Sequence, residues 1–433
     1  MLAKTVNHFF PDFRHWLGAL TDTRHRDRIV YGTGFLAWMG LMLFMLRLGA
    51  RRQLRGELDS TQALENLNGL SGCRQEGIAH GDTVNHFLGH VPPGEWSGLV
   101  RRMIVRLVRM RVLDKARLLG HYLVVIDGTG QLVFTNRHCA HCLEQVRDGK
   151  TLYHHQVLEA KLVTPEGLAL SIGSEFIENS DPNARKQDCE LKAFERLAAR
   201  LKKQYPQLPI CLLLDALYAN GSVFERCRQN RWKFIVTFKK GSLPALWREY
   251  LSLRRLSASN RLRHQASADR PAQNFAWVEH LPHIDDQGRQ HDLAAFQCLE
   301  QDDGGHWRRF AWLTNFRVNP ANVAALANRG GRLRWKIENE GFNIQKNGGF
   351  ALEHAYGYGD WQRKGFYMLM QIAHLILQLI ERGSLLGPDG LRALGGLRSL
   401  SRRLAESLRN RLILPDALDV PAARRIQIRL DTS

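Results

Sequence analysis

Apolar residues recur at helical spacing through residues 1–120, in segments separated by "NGLSG", "HGDT" and "HVPPGEW". The pattern predicts a region that is helical throughout. Its last helix, "WSGLVRRMIVRLVRMRVLDKARLL", sets an apolar face against Arg101, Arg102, Arg106, Arg109, Arg111, Lys115 and Arg117, with one acid, Asp114. Such a basic face is either solvated or laid against DNA phosphates. From Ile29 to Leu46 no charge interrupts 18 residues, about the minimum for a membrane span. Gly32, Gly34 and Gly40 break that run and "RLGARRQLR" follows it, so it reads as a buried helix. The apolar stretch 366–380, which contains His374, reads as core too.

After residue 120 the period changes to strands alternating with helices. "HYLVVIDGTG" predicts an apolar strand ending in Asp127, and "YHHQVLEAKLVTPEGLALSIGSEFIE" two more strands across the turn "TPEG". "RKQDCELKAFERLAARLKKQY" is a helix stopped by Pro206. "LPICLLLDALYANG" is a buried strand ending in Asp215, followed by a helix over 222–229 and the strand "KFIVTFKKG". Residues 243–305 turn polar and predict an insertion with short strands, "NFAWVEHL" and "LAAFQCLE". "RRFAWLTNF" resumes the core-strand pattern, and one helix is expected through "NPANVAALANRGGRLRWKIENEGF". The basic tail predicts an amphipathic helix, "LRSLSRRLAESLRNRL". The class is α/β: a mixed sheet flanked by helices, with a helical region before it and a helical tail after it. The divisions fall at 1–120, 121–242, 243–305, 306–385 and 386–433.

Composition narrows the partners. With 433 residues, 44% hydrophobic and 24% charged, the chain is globular rather than disordered. Its 61 Lys and Arg against 42 Asp and Glu give a net charge of +19, which favours a polyanion, nucleic acid first. Seven scattered cysteines fit a reducing compartment better than a disulfide framework. The opening "MLAKTVNHFFPDFRHW" does not read as a secretory signal.

Asp127 and Asp215 each follow an uninterrupted apolar run, LVVI and CLLL. An acid there is costly to bury unless paired or bound to a cation, although an Asp at a strand end also caps turns. A third acid comes from "RWKIENEGFNIQKN". On an α-helix each residue advances about 100°, which puts Glu338 at about 40° and Gln345 at about 20° from Arg334. The three share a stripe between Ile337 and Ile344 on one side and Trp335 and Phe342 on the other. Glu340 falls with Lys336, Asn343 and Asn347 on a polar face. The periodicity selects Glu338 as the ligand and turns Glu340 to solvent.

Asp127 in "VIDGT", Asp215 in "LLLDALYAN" and Glu338 in "RWKIE" resemble the Asp-Asp-Glu triad of bacterial insertion-sequence transposases. The subgroup is the one whose last acid lies in a Tyr-x2-Arg-x3-Glu-x6-Lys signature. The intervals are 88 residues (from 127 to 215) and 123 (from 215 to 338). The longer suits a subgroup with a β-rich insertion, the role 243–305 would fill. Arg334 and Trp335 match; the Tyr slot holds Gly331, and the Lys slot holds Gln345 with Lys346 one later. The resemblance covers roughly 120–385. It implies an RNase H-like catalytic domain, formed by 121–242 and 306–385. It also implies two Mg²⁺ or Mn²⁺ ions, about 3.5–4 Å apart, on Asp127, Asp215 and Glu338. The reaction implied is cleavage at the transposon ends and strand transfer by the freed 3′-hydroxyl. Implied DNA contacts are Arg334, Lys346, Lys239, Lys240 and the helical Arg101, Arg102, Arg106 and Arg109. Implied partners are double-stranded inverted-repeat ends and target DNA, with a homodimer at synapsis, no membrane, and a cytoplasmic, nucleoid-associated location. A nuclease or resolvase without joining, or a DNA-binding protein without catalysis, are the alternatives. The basic helical region favours the transposase, since end recognition needs a reader.

"RHCAHC" puts Cys139 and Cys142 at metal-ligand spacing with His138 and His141. No second pair follows at finger spacing, so these read as strand–loop residues rather than a zinc site. His154 and His155 complete one only if the fold brings them close. Asp188 and Glu190 read as helix-surface acids, with a place bordering the active site as the alternative, and Trp232 and Trp335 read as core. No GxSxG elbow supports serine chemistry.

Overall fold

Aliphatic and β-branched residues dominate Tyr122–Phe134, which forms β1, the strand around which the sheet is assembled. The computed structural model describes residues 1–179, 186–266, 271–302, 304–387, 389–421 and 427–430. Parts of the expected insertion (267–270 and 303) and tail (388, 422–426 and 431–433) lie outside the described residues. The remaining strands are β2 (Leu143–Arg147), β3 (Lys150–Val163), β4 (Ala169–Ile177), β5 (Ile210–Leu214) and β6 (Lys233–Thr237). They continue with β7 (Arg261–His264), β8 (Gln273–Ile284), β9 (Gln290–Gln301) and β10 (Trp307–Thr314). All join one mixed sheet in the order β2-β3-β1-β5-β6-β10-β9-β8-β7, with β4 also pairing β3. β1–β5 and β5–β6 are parallel; β1–β3, β3–β4 and β6–β10 are antiparallel.

Seven helices precede the sheet: α1 (Leu2–Phe9), α2 (Phe13–Gly18), α3 (Thr33–Met45), α4 (Gln53–Leu58), α5 (Thr61–Ser71), α6 (Gly81–Leu88) and α7 (Pro93–Arg109). Between strands lie α8 (Glu190–Gln204), α9 (Gly221–Asn230) and α10 (Pro244–Leu256). After β10 come α11 (Val323–Asn328), α12 (Asn343–Asn347), α13 (Asp360–Glu381), α14 (Gly390–Leu394), α15 (Leu397–Asn410) and α16 (Pro415–Leu418).

The sheet separates two cores. Tyr122, Val124 and Ile126 of β1 enter the larger, with α3, α7, α8, α13 and α15. Leu123 and Val125 enter the smaller, with α11 and the segment around Ile337. This is the alternation a strand imposes. α3 is buried along its whole length after Thr33, as an all-apolar helix must be. No helix is long and apolar enough to cross a membrane among the described residues. The larger core runs without a break from Leu2 through the sheet to Ile428, so the N-terminal helices and the sheet share one interior.

Four local expectations change. β1 does not end at Asp127; its antiparallel pairing with β3 carries it on to Phe134, past the end of the parallel ladder with β5. The basic helix ends at Arg109, and Arg111, in the left-handed region at φ 57°, turns the chain away, so Lys115 and Arg117 lie beyond it. The insertion strands are long, not short: β8 and β9 pair with each other and then, through β10, with the central sheet. The insertion also contains α10, packed on β8, whose apolar spacing the surrounding charge concealed. Last, the single helix expected from about Asn319 is α11, then a 3₁₀ turn (Gly331–Trp335), a π-helical turn (Ile337–Phe342) and α12. Gly331, in the Tyr slot, lies against the Trp312 indole, which a side chain there would have to displace.

Candidate active site

The parallel ladder of β1 and β5 runs from Tyr122↔Ile210 to Val125↔Leu213, a constant offset of 88 positions. That is also the interval from 127 to 215, so two further steps bring Asp127 level with Asp215. Leu123, Val125, Cys211 and Leu213 face the smaller core, and the aspartates continue both alternations onto that face. The 3₁₀ and π turns that carry Arg334 and Glu338 cover the same face, with Ile337 and Phe342 packed into its core.

Asp127 is half-buried. Its Oδ1 accepts the Gly128 amide at 3.0 Å, and its Oδ2 lies 3.2 Å from Arg334 Nη1. Burial raises its carboxyl above the usual range; Arg334 and Gly128 oppose this, while the nearby Asp215 and Glu338 charges reinforce it. Asp215 Oδ1 accepts the Leu217 amide at 2.8 Å and caps the turn Ala216–Tyr218. Its Oδ2 takes no partner among the described residues. Glu338 is exposed, and its carboxylate has no hydrogen-bond or ion-pair partner among the described residues. Arg334 is fixed from two sides, by Asp127 and by the Trp335 ring 4.3 Å away.

Glu340 is not turned to solvent. It pairs with Lys336 at 2.6 Å, lies beside Gly167 in the β3–β4 turn, and has its Oε2 buried without a partner. Trp335 is not core; it is 57% exposed and its work is to carry Arg334, whereas Trp232 is buried as expected. Gln345 does not share the Glu338 stripe. It is fully buried, bonded to Gln371 and His374, in a polar layer with the buried pair Glu159–Lys161. The irregular backbone explains these displacements: Trp335 ends a 3₁₀ turn, and a π turn separates it from Gln345. A π turn makes i→i+5 bonds and holds more residues per turn than an α-helix, so a phase counted at 100° per residue drifts across it. The same drift acts as about one inserted residue. Lys346 pairs with Glu353 at 3.3 Å.

A fourth acid joins the cluster. Glu190 begins α8 and leans over β1 at Gly128, where any side chain would run into its carboxylate. Burial raises its carboxyl, the Asp127 and Asp215 charges add to that, and a hydrogen bond from the Tyr218 hydroxyl at 3.3 Å opposes it. The expectation of a surface acid fails here because the first turn of α8 points at the carboxyl end of the sheet. The available signal was an acid in a helix's first turn within a strand–helix–strand unit. Asp188, by contrast, pairs with Arg196 at 2.6 Å.

From Asp215 a cleft opens over Thr237, Lys239, Arg309, Phe310, Gly331, Arg332, Arg334 and Trp335. Arg332 is held by Glu300 at 2.6 Å. Lys239, Lys240 and Arg309 are exposed and form no ion pair among the described residues. Arg101, Arg102 and Arg109 on α7 are likewise exposed and without a carboxylate partner, and Arg106 is half-buried.

The carboxylates stand apart: among the described residues no three of them lie within 4.8 Å of one another. The group that does is Cys139, Cys142 and His155. The chain matches no protein-family model and no curated protein.

Proposed function

We propose that this protein is a DDE-type transposase, which cuts DNA at the ends of a mobile element and joins the freed ends to target DNA. One observation carries the reading. Two aspartates 88 positions apart become neighbours on one sheet face, and Glu338 and Arg334 come to the same place from a third segment. An RNase H-like domain is part of the proposal, supported by the strand order β4-β3-β1-β5-β6, antiparallel and then parallel.

The donor set fits hard divalent cations. Asp127, Asp215 and Glu338 offer carboxylate oxygens, with Glu190 beside them and Arg334 the cation bonded among them. When bound, Mg²⁺ or Mn²⁺ supplies the Lewis acidity that activates water or a 3′-hydroxyl and neutralises the leaving oxygen. The chain's own groups do the rest. Arg334, braced on Trp335, can exchange its bond to Asp127 for a phosphate oxygen. Lys239 and Arg309 line the cleft where the backbone would lie, and the unpaired arginines of α7 add sequence-independent affinity. Synapsis of two ends would take two copies of the chain.

The test is incubation of the purified chain with Mn²⁺ or Mg²⁺ and a duplex carrying the inverted repeats that flank its gene. Cleavage followed by joining is the expected result. Cleavage without joining would make it a nuclease, and binding without cleavage would reduce it to a DNA-binding protein.

A further inference from the structure

The segment after β1 builds a second cluster, chemically unlike the first. The β1–β2 loop presents Cys139 and Cys142, and β3 runs antiparallel beside it with Leu143 opposite His154. Strand alternation turns His154 away and sends His155 inward, where it is 1% exposed; Cys142 is fully buried. The sulfurs are 3.7 Å apart, and His155 Nε2 lies 3.6 Å from Cys139 Sγ and 3.5 Å from Cys142 Sγ.

These distances fit a tetrahedral ion. A tetrahedral zinc with Zn–S about 2.3 Å and Zn–N about 2.0–2.1 Å has S···S edges of about 3.8 Å and S···N edges of about 3.5 Å. All three observed separations match such a tetrahedron to within about 0.1 Å. A disulfide would need the sulfurs at about 2.05 Å and would leave His155 unused. The imidazole of His155 has few polar contacts. Its Nδ1 is buried without a partner, so its polar contacts are the two sulfurs at Nε2. Coordination through Nε2 would give that nitrogen a metal in place of two weak thiol contacts and fix the ring proton on Nδ1.

We propose that Cys139, Cys142 and His155 bind a structural zinc ion that fastens the β1–β2 loop to β3. Two thiolates and an imidazole are a soft-to-borderline set that selects zinc over the magnesium class. The fourth position falls to a loop imidazole or to water. His138 and His141 flank the pair, with ring nitrogens 3.2 Å from Tyr358 O and 3.3 Å from Asn179 O. The site is remote in chemistry from the acid cluster, and it stands whether or not the protein is a transposase.

The experiment is metal analysis of the full-length chain expressed with zinc and passed through gel filtration. About one zinc per chain is expected. Replacement by Co²⁺ should give tetrahedral d–d bands and thiolate-to-cobalt charge transfer. Cys139→Ser, at the partly exposed edge of the site, should abolish most of the bound zinc and weaken the charge-transfer band while the far-ultraviolet circular dichroism stays that of wild type. His155→Gln should also lose zinc; should it fail to fold, the Cys139→Ser comparison and the wild-type cobalt spectrum still decide. A folded wild-type chain with negligible zinc and no thiolate band overturns the proposal. So does zinc content unchanged by Cys139→Ser, or a Cys139–Cys142 disulfide found by mass spectrometry in protein prepared under reducing conditions.

Discussion

The acid cluster around Asp127 and the thiol–imidazole cluster beyond Phe134 are both anchored on β1, and their donors are arranged in opposite ways. Cys139, Cys142 and His155 are mostly buried and already stand at the separations that a tetrahedral ion would set. Asp127, Asp215 and Glu338 come from three segments, include an exposed member, and do not close to within 4.8 Å as a set. The contrast teaches what each arrangement is suited to. A structural metal wants a closed, preformed cage, whereas a catalytic one needs open positions for water and substrate. An unclosed ring of carboxylates, one already bonded to the Arg334 guanidinium, leaves those positions open.

The largest expected effect breaks the acid side of this comparison. Asp127→Asn or Asp215→Asn should lower DNA cleavage by roughly 10³-fold or more, since metal-borne charge stabilisation is worth several kcal/mol. Binding in a gel shift should be retained. Cleavage kept within a few-fold would remove these residues from the chemistry. Next, Arg334→Ala should reduce cleavage by about 10- to 100-fold, the range of residues that orient ligands. Arg334→Lys should rescue it only partly, because a point charge does not replace a planar fork stacked on Trp335.

A smaller effect concerns stability. The Glu190 carboxyl is raised in the folded protein, chiefly by burial. The sign follows from linkage: a group whose folded pKa is raised contributes stability below its unfolded value and loses it as pH rises through the folded value. Glu190→Gln should therefore stabilise the metal-free protein at neutral pH, by roughly 1–3 °C in Tm. The advantage should vanish on acidification below the ordinary carboxylate range. Thermal melts at pH 7 and pH 4 check this, and an equal gain at both pH values would contradict it. The same substitution should weaken the Mg²⁺ or Mn²⁺ response if Glu190 belongs to the site.

Much of this architecture was legible in the chain. The runs LVVI and CLLL located two buried strands and their acids, and the unbroken apolar stretch 29–46 located α3, because burial on all sides leaves a plain compositional mark. The register that joins Asp127 to Asp215 was not readable, since it depends on which strands pair. For Glu190 the surface reading outweighs the site reading in the sequence for a related reason: a helix pattern does not say where its first turn points. His155 was considered beside the CxxC pair, and the antiparallel pairing of β3 then decided between it and His154. The misplacement of Glu340, Trp335 and Gln345 has a different origin. Their phases were counted on a regular α-helix, and the chain folds there as a 3₁₀ turn followed by a π turn. Gly331 and Gly341 mark the places where the backbone approaches Trp312 and the Lys161 stem too closely for a side chain without rearrangement.

The two glutamates of that π turn offer the most direct measurement. Glu338→Gln and Glu340→Gln are assayed side by side for Mn²⁺-dependent cleavage and joining of inverted-repeat DNA, with binding and melting temperature as controls. The exposed, unpaired Glu338 should be indispensable for cleavage and dispensable for binding. Glu340, held by Lys336 against the β3–β4 turn, should change cleavage less than about threefold. An active Glu338→Gln protein, or loss of cleavage confined to Glu340→Gln in a chain that still folds and binds, would contradict the assignment of the acid site.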